Sequence, residues 1–346
     1  MKRNSGIDLL KFFCSFMIIC IHSSFPGILG YIITPLARVA VPLFFMITGY
    51  YYSYTKGQNK ELSQIRKIFK LFLGANLLYS LYPILLICLK KETLTSVFST
   101  FFSINSLANF VFLNESPFGG HLWYLGAILY VLIIVFVFEK KWDRKYLYPL
   151  VPLLLLVDLV FGKYSLLFFG QNFPYIIVRN FMFVGLPYFL IGDILYKYKA
   201  KISFKKPEIF SFIFICTTLL ERFLLGTFNL NAVRDHYIST TFLAVAVFLV
   251  AIKYENKKQS KLNNAMCFIG AKLSADIYIL HRGFLVIMSE IVKHVNNNTL
   301  SIIYNYFAPF IAFGVSILSA LIIHIIIKKL TSRLHNLQKP QPLPPQ

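Results

Sequence analysis

Long apolar segments separated by short polar connections make up almost the whole chain. Ten such segments predict helices, at about residues 7–26, 32–54, 71–89, 121–138, 146–161, 175–196, 209–225, 237–252, 273–291 and 302–327. Most of them approach the roughly 20 residues that an apolar helix needs to cross a bilayer. The pattern therefore predicts an all-α integral membrane protein with about ten transmembrane helices.

The composition and the placement of charge agree with that prediction. Apolar residues make up 57% of the chain and charged residues only 14%, which is far from the composition of a water-soluble domain. The formal net charge of +21 does not indicate a nucleic-acid partner, because Lys and Arg lie between the apolar segments and not on one hydrophilic domain. Basic loops mark the cytoplasmic side of a membrane, so both termini are predicted to be cytoplasmic.

The first segment carries three ionisable residues, Asp8, Lys11 and His22. At about 100° per residue, Lys11 and His22 fall on one side of a helix, with Asp8 one turn from Lys11. The helical rise separates Lys11 from His22 by about 16 Å, around half of the hydrocarbon thickness. Ionisable residues inside a membrane are costly and usually mark a pathway or a reaction site. The alternative is that Asp8, Lys11 and His22 only lie at the two interfaces.

Further candidate residues lie inside or at the ends of other segments. Arg38 is embedded in the second segment, His121 and Tyr124 open the fourth, and Arg179 lies in the sixth. Each of them could contact a polar substrate, although an aromatic residue at a segment end is more often part of an interfacial belt. His281, in the ninth segment, is interpreted as a structural histidine.

A basic pair precedes the third segment. Arg66 and Lys70 are one helical turn apart and point the same way, so together they could bind a ligand that carries phosphates. The alternative is that they only contact anionic lipid headgroups.

The remaining stretches define the predicted domain organisation. Residues 1–336 form a single membrane domain, and the Pro-rich tail at 337–346 is predicted to be disordered. The connection at 91–120 is predicted to lie on the outer side, where it could form a lid. The five cysteines show no metal-binding spacing, so neither a disulfide framework nor a metal site is predicted.

Four sequence blocks stand in order along the chain. They are Lys11 and His22 with ten residues between them, VPLFFMITGYYYS at 41–53, the pair Arg66-x-x-x-Lys70, and ADIYILH at 275–281. Together they resemble the motifs of the membrane acyltransferase 3 family. Lys stands at 11 and at 70 where Arg is common, which keeps the charge but loses the bidentate geometry of a guanidinium.

The resemblance implies acyl transfer across the plasma membrane of a bacterium. Members of the family move an acyl group, usually acetyl, from cytoplasmic acyl-CoA to a hydroxyl of an envelope sugar or polysaccharide. On that basis His22 is expected to be the general base. Lys11, Arg66 and Lys70 are expected to hold acyl-CoA, which is a co-substrate, and no tightly bound cofactor is expected.

The remaining candidate roles follow from helical position and charge. Asp8 is expected to pair with Lys11, and it lies too far along the helix to orient His22. Arg38, His121, Tyr124 and Arg179 are all candidates for stabilising the developing negative charge on the thioester oxygen.

A narrower resemblance points to a different function. ARVAVPLFFMITGYY at 37–51, HLWYLGAILYVL at 121–132 and the ADIYILH block are similar to the membrane half of VanT-type serine racemases, which is thought to import serine. The alternative function is therefore transport of a small polar solute such as serine, without acyl transfer. The oligomeric state is not predicted.

Overall fold

The computed structural model describes residues 4–56, 58, 60–88, 93–199, 201, 205–232, 235–254 and 260–337, and every regular element within these ranges is helical. The α-helices are α1 (Ser5–His22), α2 (Gly27–Ala37), α3 (Ala40–Lys56), α4 (Glu61–Cys88), α5 (Leu94–Phe101), α6 (Ile104–Leu113), α7 (Trp123–Phe138), α8 (Leu150–Phe161), α9 (Ser165–Phe169), α10 (Tyr175–Val178), α11 (Leu186–Lys197), α12 (Pro207–Thr227), α13 (Ile238–Lys253), α14 (Lys261–Lys272), α15 (Ser274–Val295) and α16 (Asn298–Leu337). Short 3-10 turns cover Gly120–Leu122 and Arg144–Leu147, and a π turn covers Phe181–Gly185. The predicted tail beyond Leu337 lies outside the described residues.

Seven helical stretches within the described residues are long and apolar enough to cross a membrane. They are Ser5–His22, Gly27–Lys56, Glu61–Leu85, Leu94–Leu113, Gly120–Phe138, Pro207–Thr227 and Asn298–Ser332. The predicted count of ten is not confirmed, since the fifth and sixth predicted segments form short or broken helices and Ile238–Lys253 is shorter than a typical span. The chain is an all-helical, multi-pass membrane protein.

The connection predicted at 91–120 contains helical structure that the sequence analysis did not assign. α5 and α6 together form the apolar stretch Leu94–Leu113, which is one of the seven candidate spans. Its large side chains point away from the protein, with Phe98 64% exposed and Ile104 86% exposed. An apolar face of this kind suits contact with lipid better than contact with water.

The centre of the bundle is the close crossing of α3 and α11. A Cβ atom added at Gly49 would lie 1.9 Å from the carbonyl oxygen of Phe189, and one added at Gly192 would lie 2.0 Å from that of Met46. Only glycine therefore allows the two backbones to approach so closely, as small residues do at many membrane helix interfaces. Tyr188 and Phe189 on α11 are fully buried beside this crossing.

A cluster of buried charges joins α3, α7 and α11 at one end of the bundle. Arg144 forms ion pairs with Glu139 and with Asp193, the second at 3.1 Å between Nη1 and Oδ1. Lys56 Nζ lies 2.8 Å from Glu139 Oε1, and the hydroxyl of Tyr148 donates to Asp193 Oδ2 at 2.7 Å. Arg144 is nearly fully buried, so these partners compensate a charge that would otherwise be costly.

A second ion pair, which is partly buried, joins the opposite end of the bundle. The guanidinium of Arg38, between α2 and α3, pairs with the carboxylate of Asp235, which lies two residues before Tyr237 caps α13. The hydroxyl of Tyr175 also donates to Asp235 Oδ1, at 3.4 Å. Burial alone would raise the pKa of Asp235, but Arg38 and Arg179 lower it to about 2, from an ordinary value of 3.8.

Replacing Gly49 by Ala is expected to destabilise the fold, because the added methyl group would force α3 and α11 apart. Overpacking of this kind typically costs about 1–3 kcal/mol. Gly74→Ala is the matched control, since Gly74 is also helical but has nothing within 4 Å of an added Cβ. Thermal unfolding in detergent should show a lower Tm for Gly49→Ala and an unchanged or higher Tm for Gly74→Ala. Equal shifts for both variants would contradict the close crossing.

The ion pair of Asp235 predicts a pH dependence of stability. The pKa of Asp235 is lower in the folded protein than in the unfolded chain. The contribution of its carboxylate to folding stability is therefore complete above the ordinary pKa of 3.8 and is lost as the pH falls through about 2. The difference between those two pKa values corresponds to about 2 kcal/mol near neutral pH.

The measurement is the unfolding temperature of wild type and Asp235→Asn in detergent, between about pH 2 and about pH 6. Wild type should be the more stable protein at the upper end, and the difference should shrink in acid. Glu290→Gln removes an exposed pair with Lys293 and should change stability by less than about 1 kcal/mol at any pH. If the difference in unfolding temperature between wild type and Asp235→Asn stays constant down to the lowest pH, the ion pair of Asp235 is not its source.

Candidate active site

The two ends of α1 occupy different environments. α1 begins at Asn4, whose side-chain oxygen accepts a hydrogen bond from the backbone N–H of Ile7 at 3.0 Å. Near this end Asp8 is buried, and its Oδ1 lies 3.9 Å from Lys11 Nζ, which also lies over the ring of Tyr51 at 5.0 Å. The structure thus places Asp8 beside Lys11, one turn apart on the same helix.

Glycines hold this part of α1 tightly against its neighbours. A Cβ added at Gly270 of α14 would lie 2.0 Å from the carbonyl oxygen of Asp8, and one added at Gly6 would lie 1.9 Å from that of Ala251 of α13. Backbone contacts this close leave α1 little freedom to rotate or slide. The orientation of its polar residues is therefore determined by helix packing.

A cavity lies at the His22 end of α1. Five of the residues that the sequence analysis singled out line it, namely His22, Arg38, His121, Tyr124 and Arg179. They come from the C-terminal end of α1, the junction of α2 and α3, the N-terminal end of α7 and the end of α10. Residues scattered over about 160 positions of the chain are thereby brought to one site, as expected where helices converge on a binding cavity.

Three histidine rings form a cluster at this site. The ring centroid of His22 lies 5.2 Å from that of His281 and 6.4 Å from that of His121, and the centroids of His121 and His281 are 5.5 Å apart. His281 is fully buried and His121 is only 4% exposed. The ADIYILH block therefore contributes a histidine that directly neighbours His22.

The hydrogen bonds of His281 and His121 leave one ring nitrogen of each without a partner. His281 Nδ1 donates to the carbonyl oxygen of Tyr278 at 2.6 Å, so its Nε2 is left as an acceptor, and this atom is buried without a partner within the described residues. Nε2 of His121 lies 3.4 Å from the carbonyl oxygen of Ile279, and its Nδ1 is likewise unpartnered. Unsatisfied buried polar atoms are uncommon and suit a site that water or a ligand occupies.

A break in the predicted sixth segment positions Arg179. α10 ends at Val178, and Asn180 then starts the π turn by accepting hydrogen bonds from the backbone N–H groups of Met182, at 2.9 Å, and Phe183, at 3.1 Å. Arg179 stands at this break, with its guanidinium 5.3 Å from the ring of Trp123. A continuous helix through this segment would have placed Arg179 differently.

Two ionisable residues that the sequence analysis did not assign to a site, Asp235 and His236, also line the cavity. His236 Nδ1 lies 2.8 Å from Oδ2 of Asp158, a buried residue of α8 that does not itself line this cavity. Burial alone would lower the pKa of His236, but the Asp158 carboxylate raises it above the ordinary value. The oriented carboxylate–histidine pair of this site is therefore Asp158 with His236. The only sequence signal was the Asp-His pair just before the eighth apolar segment.

The basic pair lies outside the cavity. Arg66 and Lys70 are both exposed on α4, one turn apart as predicted. Neither lines the cavity that contains His22. The structure thus separates these two cations from the cluster of histidines.

Comparison with known proteins gives one family match. Residues 4–328 match the family model described as an acyltransferase domain, acyltransferase 3. Two amino-acid racemases of Enterococcus faecalis are each 27% identical to the chain, one over 85% of the chain and 42% of the racemase, the other over 63% and 32%. The chain thus spans less than half of the length of these curated relatives, and no solved structure matches it. Since the family match covers nearly the whole chain, this membrane protein belongs to the acyltransferase 3 family.

Proposed function

We propose that the protein is a membrane O-acyltransferase that moves an acyl group, most simply acetyl, from cytoplasmic acyl-CoA to a hydroxyl of an envelope sugar or polysaccharide. The observation that carries the proposal is the cavity at the end of α1. It combines a histidine with several cationic and hydroxyl donors in a chain of an acyltransferase family. A base and oxyanion donors in one cavity are what acyl transfer to a hydroxyl requires.

In the proposed reaction, a ring nitrogen of His22 takes the proton of the acceptor hydroxyl as its oxygen attacks the thioester carbonyl carbon. The carbonyl oxygen becomes negatively charged in the tetrahedral intermediate. Collapse of the intermediate forms the ester bond, breaks the carbon–sulfur bond and releases CoA thiolate, which takes up a proton. Imidazole suits this role because its neutral form accepts a proton and its protonated form can later release it.

The negative charge on the carbonyl oxygen needs donors in the cavity. Arg38, His121, Tyr124 and Arg179 all line it, and they are the candidates for that role. Arg38 is already paired with Asp235, so part of its charge is compensated before any substrate enters. The phenol of Tyr124 supplies a neutral donor between the rings of Phe45, at 4.7 Å, and Tyr278, at 5.4 Å.

The donor enters from the opposite end of α1 in this proposal. Arg66 and Lys70 bind the phosphates of CoA on the exposed face of α4, and the pantetheine arm extends past Lys11 towards His22. Along α1, the helical rise between Lys11 and His22 corresponds to about 16 Å, which an extended arm can cover. Asp8 keeps the charge of Lys11 compensated while the arm is absent.

A second candidate function is transport of a small polar solute such as serine, without acyl transfer. Two observations support it. The relatives that the chain resembles are described as amino-acid racemases, and the cavity contains both a cation and an anion, Arg38 and Asp235. A zwitterionic amino acid carries the complementary pair of charges. This function does not require His22 to act as a base.

The role of His22 is tested by release of CoA from acetyl-CoA by the purified protein in nanodiscs, with an extract of envelope glycans. His22→Ala is expected to lower the rate about a hundredfold to ten-thousandfold, because the acceptor hydroxyl loses its base. His294→Ala is the matched control, since His294 is an exposed histidine of α15, and it should retain the wild-type rate. A folded His22→Ala protein with the wild-type rate would show that His22 is not the base.

The same assay separates the two candidate functions. Release of CoA that rises with the glycan extract supports acyl transfer. If folded wild-type protein neither releases CoA nor binds acetyl-CoA, the acyltransferase proposal fails. Uptake of serine into proteoliposomes would then be the expected activity.

The binding role of Arg66 and Lys70 predicts a change in KM without a matching change in kcat. Replacing either residue by Gln should raise the KM for acetyl-CoA about threefold to tenfold, because a charge-assisted phosphate contact at an exposed site is lost. Lys67→Gln removes the same charge from another face of α4 and should leave KM close to wild type. If all three variants raise KM equally, only the overall charge of α4 matters.

A further inference from the structure

Two further cavities adjoin the one that contains His22. One shares Arg179, Asp235 and His236 with it, and the other shares Arg38 and Asp235. Lys163 lines both further cavities. We call these three adjoining cavities the polar chamber. His22 and Lys163 line different cavities of the polar chamber, and Arg179 and Asp235 line the boundary between them.

Both carboxylates that line the polar chamber already have partners. Asp235 pairs with Arg38, and Asp158 Oδ2 lies 2.8 Å from His236 Nδ1. The nearby Glu221, which does not line the chamber, accepts from the backbone N–H groups of Ile238, at 2.8 Å, and Ser239, at 3.2 Å, at the start of α13. Each carboxylate among the described lining residues therefore already has a close partner, and Asp235 also interacts at longer range with Arg179 and Lys163.

Three cations of the polar chamber form no ion pair with a carboxylate of the described residues, although Asp235 acts on two of them at longer range. Arg179 lies against aromatic faces, with its guanidinium 4.6 Å from the ring of Tyr175 and slightly further from that of Trp123. Arg222 lies over the ring of Tyr31 at 4.3 Å, and its Nε is buried without a hydrogen-bond partner. The third is Lys163. Arginines held against rings keep their donors available for an incoming anion.

Lys163 is the most deeply buried of these cations, at 4% exposure. Its Nζ donates to the carbonyl oxygen of Ala232 at 2.9 Å and to Asn231 Oδ1 at 3.3 Å, which are neutral acceptors. Burial lowers the pKa of Lys163 to about 7, so its positive charge is poorly compensated in the unliganded protein. An anion beside Nζ would restore the charged form.

The polar chamber therefore has an excess of positive charge. Four cations line it, Arg38, Lys163, Arg179 and Arg222, against the two carboxylates Asp158 and Asp235. In a buried site such an excess is costly unless a ligand compensates it. Arg179 and Lys163 line the same cavity, which adjoins the one that contains His22. An anion bound in that cavity would lie beside two of the four cations.

We propose that the acceptor of acyl transfer carries an anionic group, a carboxylate or a phosphate, which binds between Arg179 and Lys163 while its hydroxyl reaches His22. The proposal rests on the acyltransferase function above and specifies the class of its acceptor. Arg222 lines the cavity that Lys163 shares with Arg38, and it attracts the same anion as it enters. A neutral sugar hydroxyl would leave the chamber's positive charge uncompensated.

The test uses two pairs of small hydroxyl compounds that differ in charge. Glycolate is compared with glycolamide for the carboxylate, and glycerol 3-phosphate with glycerol for the phosphate. Binding to the purified full-length protein is measured by calorimetry, and stimulation of CoA release from acetyl-CoA is measured in parallel. In wild type at least one anionic compound should bind at least tenfold more tightly than its neutral partner, and whichever anion is preferred identifies the anionic group.

Variants then locate the anion site. Arg179→Gln and Lys163→Gln should each reduce the preference for the anionic compound at least tenfold. Lys140→Gln should leave it unchanged, because Lys140 also lies against an aromatic ring, that of Phe136 at 5.2 Å, but outside the chamber. The ratio of the two affinities, and not the absolute rate, is the readout.

Two results would overturn the proposal, and both are distinct from failure of the acyltransferase function. Equal binding of anionic and neutral compounds by wild type excludes an anionic acceptor, even if CoA release is observed. A preference that survives in both Arg179→Gln and Lys163→Gln excludes this location. Tight anion binding without any CoA release would instead support the anion site and exclude the acyltransferase function.

Discussion

The partly buried ion pair between Arg38 and Asp235 is the contact on which the arrangement of this protein's candidate site depends. Arg38 stands at the junction of α2 and α3, and Asp235 precedes α13, so the pair joins parts of the chain that are about 200 residues apart. An unpaired charge of either sign in this position would be costly. Asp235 also lines all three cavities of the polar chamber, and the pair therefore links stability to the shape of the site.

Helices that contribute to the chamber pack closely against their neighbours. The glycine contacts of α1 with α13 and α14, and of α3 with α11, bring helix backbones together without intervening side chains. In the cavity, His121 and His281 each have one buried ring nitrogen without a partner among the described residues. Preorganised polar groups of this kind can stabilise charge in a reaction without first having to rearrange.

Local spacing was enough to predict some of the site from the sequence. The polar stripe of Asp8, Lys11 and His22 follows from helical periodicity alone, and the family resemblance is confirmed by the match over residues 4–328. The all-helical membrane fold was also predictable, because long apolar segments dominate the chain. The number of membrane-spanning helices could not be predicted, because the segments around Asp158 and Arg179 are shortened or interrupted by turns that hydropathy does not reveal.

The pairing of residues across the bundle could not be derived from the sequence. Asp158 and His236 are 78 positions apart, and nothing in the local sequence of either one predicts that the two form a pair. The contact of His281 with His22 likewise depends on how α15 packs beside α1. Such contacts arise from tertiary packing, which local periodicity does not encode.

The central claim is that a thioester delivered along α1 reacts beside His22, and the most direct measurement is a structure of the protein with a nonhydrolysable acetyl-CoA analogue. The account predicts the acyl group inside the cavity next to His22, the pantetheine arm alongside Lys11, and the CoA phosphates at Arg66 and Lys70. An analogue whose acyl group lies outside that cavity, with His22 remote from the reacting carbon, would contradict it.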